Sequence, residues 1–228
     1  MNYDHILAEL KALARPGAVA NAALVGIKPK TTYYGTPIRL LRRMAQEIGQ
    51  NHLMAEALWV SNIHDARILA SMIADPGLMT AKQMDLWAAS FDSWDLCDQC
   101  CANLFSKTSQ AYPKALAWSR ESEQYVKRAA FALMATLAAN DKVAADDPFK
   151  KFLSVIQRES TDKRQVVRNA IAWALRQIGK RSYPLNRLSL EVAASLQQAR
   201  AKTPRWIARD ALRELNSKAV QQRFSRRA

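Results

Sequence analysis

The sequence predicts an all-α chain of stacked helix pairs, on three observations. Gly occurs 6 times and Pro 8 times in 228 residues, too few for a protein of many tight β-turns. Ala, Leu, Arg, Gln and Lys dominate the second half, a helix-forming composition. A segment also recurs: Val126-Lys127-Arg128-Ala129-Ala130-Phe131-Ala132, Val166-Val167-Arg168-Asn169-Ala170-Ile171-Ala172 and Trp206-Ile207-Ala208-Arg209-Asp210-Ala211-Leu212. Its arginines lie 40 and then 41 residues apart. A helical period near 40 is that of HEAT-like or armadillo-like arrays. The expected fold is therefore an α-α superhelix, a solenoid. Residues 1–216 form a single domain of helix pairs, and 217–228 a basic C-terminal tail whose order the sequence leaves open.

In chain order, Ile6, Leu7, Leu10 and Leu13 mark an amphipathic helix over about 2–14, ended by Arg15-Pro16. Residues 25–36 read as an irregular loop, punctuated by Gly26, Pro29 and Gly35. Lys28, Lys30, Tyr33 and Tyr34 interleave charge with aromatics there, which suits a nucleic-acid backbone and equally suits a solvated loop. Thr36-Pro37 opens a helix bearing Arg39, Arg42 and Arg43. Residues 51–74 read as two helices with Leu53, Ala57, Leu58, Ile63, Leu69 and Ile73 as core. Asp75-Pro76-Gly77 is a turn, and Thr80 starts a further helix through Met84 and Trp87. Trp173, Arg176 and Lys180 share one face of a helix that Gly179 brings to its end. Pro204-Arg205-Trp206 starts the last helix, which ends near Asn216.

Net charge is +14, with 34 Lys+Arg against 20 Asp+Glu. Residues 1–120 hold 12 basic and 10 acidic side chains, and residues 121–228 hold 22 and 10. A basic second half suggests a polyanionic partner, nucleic acid before others, against the plain alternative of a soluble basic protein. The three cysteines, Cys97, Cys100 and Cys101, offer no disulfide framework and point to a reducing compartment. No second Cys pair accompanies Cys97 and Cys100, and His5, His52 and His64 lack ligand spacing to them, so no metal is expected. The first residues lack the basic and apolar regions of a signal peptide, and no apolar run reaches membrane-spanning length. The chain is expected in the cytoplasm, as a monomer, with no membrane partner and no cofactor.

The stretch Ser93 to Cys101 reads as a helix that runs to about Phe105, with Ser93 as N-cap and Asp95 favoured in the first turn by the helix dipole. Trp94 and Asp98 are four apart and share a face. Asp98 lies beyond the first turn, among Leu96, Cys97, Cys100 and Cys101. A carboxylate in such company is costly without a partner or a role. A core Trp beside a surface Asp is the plain alternative.

Taken together these segments resemble the AlkD-like alkylpurine DNA glycosylases, the DNA alkylation repair family. Trp94-Asp95-Leu96-Cys97-Asp98 resembles that family's Trp-Asp-x-x-Asp segment. Tyr125-Val126-Lys127-Arg128-Ala129-Ala130 resembles its aromatic-basic-Arg segment, and Val167 through Arg176 its late helix ending Trp-Ala-Leu-Arg. Tyr33 through Arg39 resembles the entry loop, and Leu58-Trp59 through Arg67 the helix pair that follows. The resemblance spans roughly residues 30–215. It implies a HEAT-like solenoid whose concave basic face embraces double-stranded DNA carrying alkylated bases. Asp98 matches the catalytic carboxylate, Trp94 and Trp173 the aromatics beside the lesion, and Arg128 the basic partner of the site. The cysteines around Asp98 are a departure. Lys28, Lys30, Tyr34, Arg39, Arg43, Lys127, Arg168, Arg176, Lys180 and Arg209 are the expected DNA contacts.

The chemistry such a site performs is the hydrolysis of the N-glycosidic bond of a cationic purine, N7-alkylguanine or N3-alkyladenine. The charged base is already a good leaving group. Bond cleavage develops an oxocarbenium-like sugar, which an ionised carboxylate stabilises while positioning water. Each indole face attracts the cation by about 0.5–2 kcal/mol. A neighbouring Arg128 would keep Asp98 ionised. The rival readings are a non-catalytic HEAT-like nucleic-acid-binding protein and a protein-binding scaffold.

Overall fold

The computed structural model describes residues 1–225. The chain falls into two compact units, Met1–Gln110 and Ala111–Ala228. Among the described residues there are fourteen α-helices and no strand, only an isolated bridge between Thr32 and Ile63.

The first unit begins with α1 (Tyr3–Ala12), whose N-cap Asn2 accepts a hydrogen bond from the His5 amide. The second helix, α2 (Ala18–Leu24), is absent from the sequence reading because its short Ala-rich run buries only Ala22 and has no apolar period. Then come α3 (Ile38–Ile48), α4 (His52–Trp59), α5 (His64–Ile73), α6 (Ala81–Ala89) and α7 (Trp94–Asn103). Asn51 and Thr80 cap α4 and α6 through their side chains. A 3-10 turn, Phe105–Lys107, follows α7. α5 packs against α3, α4 and α7, while α4 and α6 meet through Trp59 and Trp87, stacked 3.8 Å apart. Leu58, Leu69 and Ile73 are buried as expected, but Leu53 is 79% exposed. Its place in the second position of α4 turns it to solvent, while Ala55 and Leu58 face inward.

α5 lies at the centre of this unit and buries nine of its ten residues, including His64, Asp65 and Arg67. Charges cannot remain unpaired there, and each has a built partner. Asp65 accepts the amides of Tyr34 and Thr36, at 2.8 and 2.6 Å. Arg67 donates to the carbonyl and hydroxyl of Ser90, and its guanidinium lies 4.6 Å from the Trp59 ring centre. Burial lowers its pKa, against the pull of Asp92.

The second unit holds α8 (Ala111–Trp118), α9 (Gln124–Asn140), α10 (Asp147–Glu159), α11 (Gln165–Gly179), α12 (Tyr183–Gln197), α13 (Lys202–Leu215) and α14 (Lys218–Ser225). α9, α11 and α13 form one row; α8, α10 and α12 form the other. This is the paired stacking that the 40-residue period predicts. Ala129, Ala130, Ala132 and Ala135 are wholly buried in α9 and let its neighbours approach closely. Gly179 has a packing reason: a Cβ there would sit 2.7 and 2.8 Å from the Leu215 methyls and 3.0 Å from Ser189 Cβ.

The stretch from Lys218 to Ser225, which the sequence leaves as a basic tail of open order, is helical. Val220 is buried, Phe224 meets Tyr183 edge to face, and the Gln221 amide donates to Asn186 and to the Leu215 carbonyl. Two apolar residues and one amide suffice to dock a short helix that charge alone would leave in solvent. The tail's Arg226 and Arg227 lie outside the described residues. Among the described residues no helix is long and apolar enough to cross a membrane.

Candidate functional site

In the first unit the site is built on α7. Leu96, Cys97, Cys100 and Cys101 are wholly buried, whereas Trp94 and Asp98 are half-exposed. The cysteines therefore turn to the core and do not enclose the carboxylate. Burial, then Cys97, pushes the Cys100 thiol well above the usual thiol range, so these are packing residues rather than nucleophiles. Ser93 takes the N-cap position of α7, but its hydroxyl makes no capping bond.

Two further acids flank Asp98 in sequence, and both are structural. Asp95 Oδ2 lies 2.9 Å from Nε2 of the buried His64. Burial alone would raise Asp95; the hydrogen bond and charge of His64 outweigh it, and the net pKa is lowered. The helix terminus, which sequence reasoning offered as the reason for Asp95, is the lesser one. Asp92 accepts the Lys30 amide at 2.8 Å and lies 3.7 Å from Arg67. These pairings were invisible in sequence, because His64 and Arg67 precede their partners by 31 and 25 residues.

The loop before α3 is fastened to α5 and α7. Asp65 holds the Tyr34 and Thr36 amides, and the Tyr34 carbonyl accepts from the Arg15 amide. The Trp94 indole donates to the Val25 carbonyl at 3.1 Å. Lys28, Lys30 and Arg39 are left exposed on this frame. Arg43 is partly committed elsewhere, 4.0 Å from Glu9 and 3.6 Å from Glu47.

In the second unit the cations divide into two sets. Lys127 is largely buried between Glu159 at 2.6 Å and Asp162 at 3.4 Å. Arg176 pairs with Asp210 and Glu214, and Lys180 with Glu214, bracing α11 against α13. Arg128 is buried and donates to the Val166 carbonyl. The face Trp173-Arg176-Lys180 thus carries cations because α13 answers them with acids, and solvent is not their reason. Trp173 remains half-exposed, its indole nitrogen 3.2 Å from the Gln177 amide, which accepts once its oxygen faces the ring. Arg168 and Arg209 differ: Arg168 lies over the Trp206 ring at 4.2 Å, and Arg209 is exposed.

The three repeat arginines do not form a ladder of equivalent positions. They lie five, four and eight residues after the N-caps Glu123, Arg164 and Ala201. Counted from the caps, Lys127, Arg168 and Arg205 correspond. The period is real, but its phase is set by where each helix starts rather than by the Arg-to-Ala spacing.

A family model for DNA alkylation repair enzymes matches residues 6–215. The chain belongs to the DNA alkylation repair enzyme family. Among solved structures it is similar to one described as a new family of proteins related to the HEAT-like repeat DNA glycosylases, with affinity for branched DNA structures. That match has a TM-score of 0.78 at 19% identity and covers 94% of this chain and 96% of the other. At that identity the likeness shows the fold, a HEAT-like helical repeat. No curated protein matches the sequence. The matched residues of the DNA alkylation repair family model include α7 and the cations from Lys28 to Arg209 described for the two units.

Proposed function

We propose that this protein is a DNA glycosylase that releases cationic alkylated purines from double-stranded DNA in the cytoplasm, with Asp98 as its catalytic carboxylate. One observation carries the reading. Asp98 sits half-buried on α7 one turn from Trp94, so a carboxylate and an indole share one face of the helix. A carboxylate beside an indole face suits a cationic base and an oxocarbenium-like sugar. Asp98 stabilises the developing positive charge and orients the attacking water. Because the alkylated base leaves as a neutral purine, no general acid is needed. Arg128 as the basic partner and Trp173 as a second aromatic rest on the family resemblance. Lys28, Lys30 and Arg39 in the first unit, and Arg209 in the second, are the backbone contacts that exposure favours, with the half-buried Arg168 held over Trp206 beside them.

The second reading, a binder without catalysis, is favoured by the branched-DNA affinity in the description of the solved neighbour. Duplex DNA carrying one 7-methylguanine separates the two. Release of free base by the wild type and not by Asp98→Asn supports the glycosylase. Absence of release, with salt-sensitive binding to a four-way junction, supports the binder.

A further inference from the structure

Leu24 and Val25 close α2 and project from the surface, 85% and 62% exposed. The backbone beneath them is fixed. The Val25 carbonyl accepts the Trp94 indole proton at 3.1 Å. Gly26 follows at φ +79°, with the Trp94 Nε1 3.9 Å from where a Cβ would sit. At the far end of the segment the Lys30 amide donates to Asp92 Oδ2 at 2.8 Å. Both ends of Val25–Lys30 are therefore clamped to residues at the head of α7, and Lys28 and Lys30, both exposed, lie in this segment just after the apolar tip.

Even with Val19, 63% exposed on the same short helix, this apolar tip is too small for a stable protein interface, which buries roughly 800 Å² per partner. It also lacks the long apolar face of a membrane-surface helix. It does fit one step of stacked bases, where a single aliphatic side chain is enough to act as a wedge while cations hold the adjoining phosphates. We propose that Leu24 and Val25 form an apolar wedge that enters the base stack of DNA at a weakened step, with Lys28 and Lys30 gripping the backbone beside it. The proposal rests on the reading of the α7 face as DNA-binding, and it does not require catalysis.

The test uses the full chain and duplexes carrying 2-aminopurine beside a mismatch. Wild-type binding is expected to raise the fluorescence severalfold as the probe unstacks. Leu24→Ser/Val25→Ser is expected to abolish that rise and to weaken binding to the mismatched duplex on the order of tenfold, the scale of one buried aliphatic side chain. Its affinity for a fully paired duplex should fall much less. Both side chains are exposed, and a helical circular dichroism spectrum checks that the variant folds. An equal rise in the double variant, or none in the wild type, overturns the wedge. So does a variant defective only in binding anionic vesicles. Excision of 7-methylguanine is measured in parallel: wedge-dependent fluorescence without excision would overturn the glycosylase reading and leave the wedge standing.

Discussion

The buried imidazole of His64 on α5 meets the carboxylate of Asp95 on α7, Nε2 to Oδ2, at 2.9 Å. This contact ties two neighbouring helices of the first unit and removes one of three acids from consideration as a catalyst. His64 Nδ1 and Asp95 Oδ1 have no hydrogen-bond partner among the described residues, so the pair depends on its single bond. Asp95→Ala would leave a buried imidazole without its acid, and we expect a loss of about 3 kcal/mol in urea unfolding. Asp98→Asn is expected to act on excision instead. Loss of both properties in both variants would contradict this division of labour.

The same pair sets a pH dependence. Asp95 has a lowered folded pKa relative to 3.8, so the folded state favours its ionised form. Its contribution is complete above that value and is lost as pH falls through the lower folded pKa. A melting series from neutral pH down to about pH 3 should show the wild-type advantage over Asp95→Asn shrinking below about pH 4. An advantage that grows with acid would show that the carboxylate is not held ionised.

The division of cations in the second unit predicts opposite phenotypes for two arginines. Arg209 is exposed, so Arg209→Ala should leave the melting temperature unchanged and lower the slope of log affinity against log salt by about 0.9, one phosphate contact. Arg176 is mostly buried against Asp210 and Glu214, and burial lowers its pKa against the pull of Glu214. Arg176→Ala should cost about 1–2 kcal/mol of stability, discounted for partial exposure, and leave the salt slope intact. A changed slope in the Arg176 variant would return it to the DNA contacts.

Gly179 and Gly49 make a matched pair for a packing test. A Cβ on Gly179 meets Leu215 methyls at under 3 Å, whereas Gly49 has φ +73° and no heavy atom within 4 Å of the added carbon. Gly179→Ala should destabilise by about 1–3 kcal/mol through overpacking. Gly49→Ala should incur only the cost of a positive φ with extended ψ, a conformation nearly confined to Gly, about 1–3 kcal/mol. A Leu215→Ala background should rescue Gly179→Ala, because it removes the clashing methyls, and should do nothing for Gly49→Ala.

The helical class and the stacked pairs were legible because composition and a 40-residue period are properties of the chain itself. Asp98 and Trp94 were legible as one stripe because they are four residues apart on one helix. What sequence could not supply were partners from other helices. The cations of Lys127, Arg176 and Lys180 looked available until α10 and α13 brought Glu159, Asp210 and Glu214 to them. The docking of α14 likewise depends on Asn186 and Tyr183, more than thirty residues earlier. The exposed tip at Leu24 and Val25 follows from α2, whose short Ala-rich run has no apolar period to announce it.

Arg168 is a half-buried cation held against an indole ring, and it yields the last prediction. Its guanidinium carbon stands 4.2 Å from the Trp206 ring centre, and its Nε is buried without a hydrogen-bond partner among the described residues. The ring therefore holds the side chain and leaves the terminal nitrogens as the groups offered to a phosphate. Stacking of this kind contributes about 0.5–1 kcal/mol at a partly exposed site. Trp206→Leu should weaken duplex binding by about two- to fivefold by that figure, with the salt slope unchanged, because the charge remains but is no longer positioned. Arg168→Lys should weaken binding similarly and not rescue it, since an ammonium can neither stack as a plane nor contact phosphate in a bidentate manner. Equal binding by Arg168→Lys and the wild type would show that only the charge matters there and that Trp206 is a core residue.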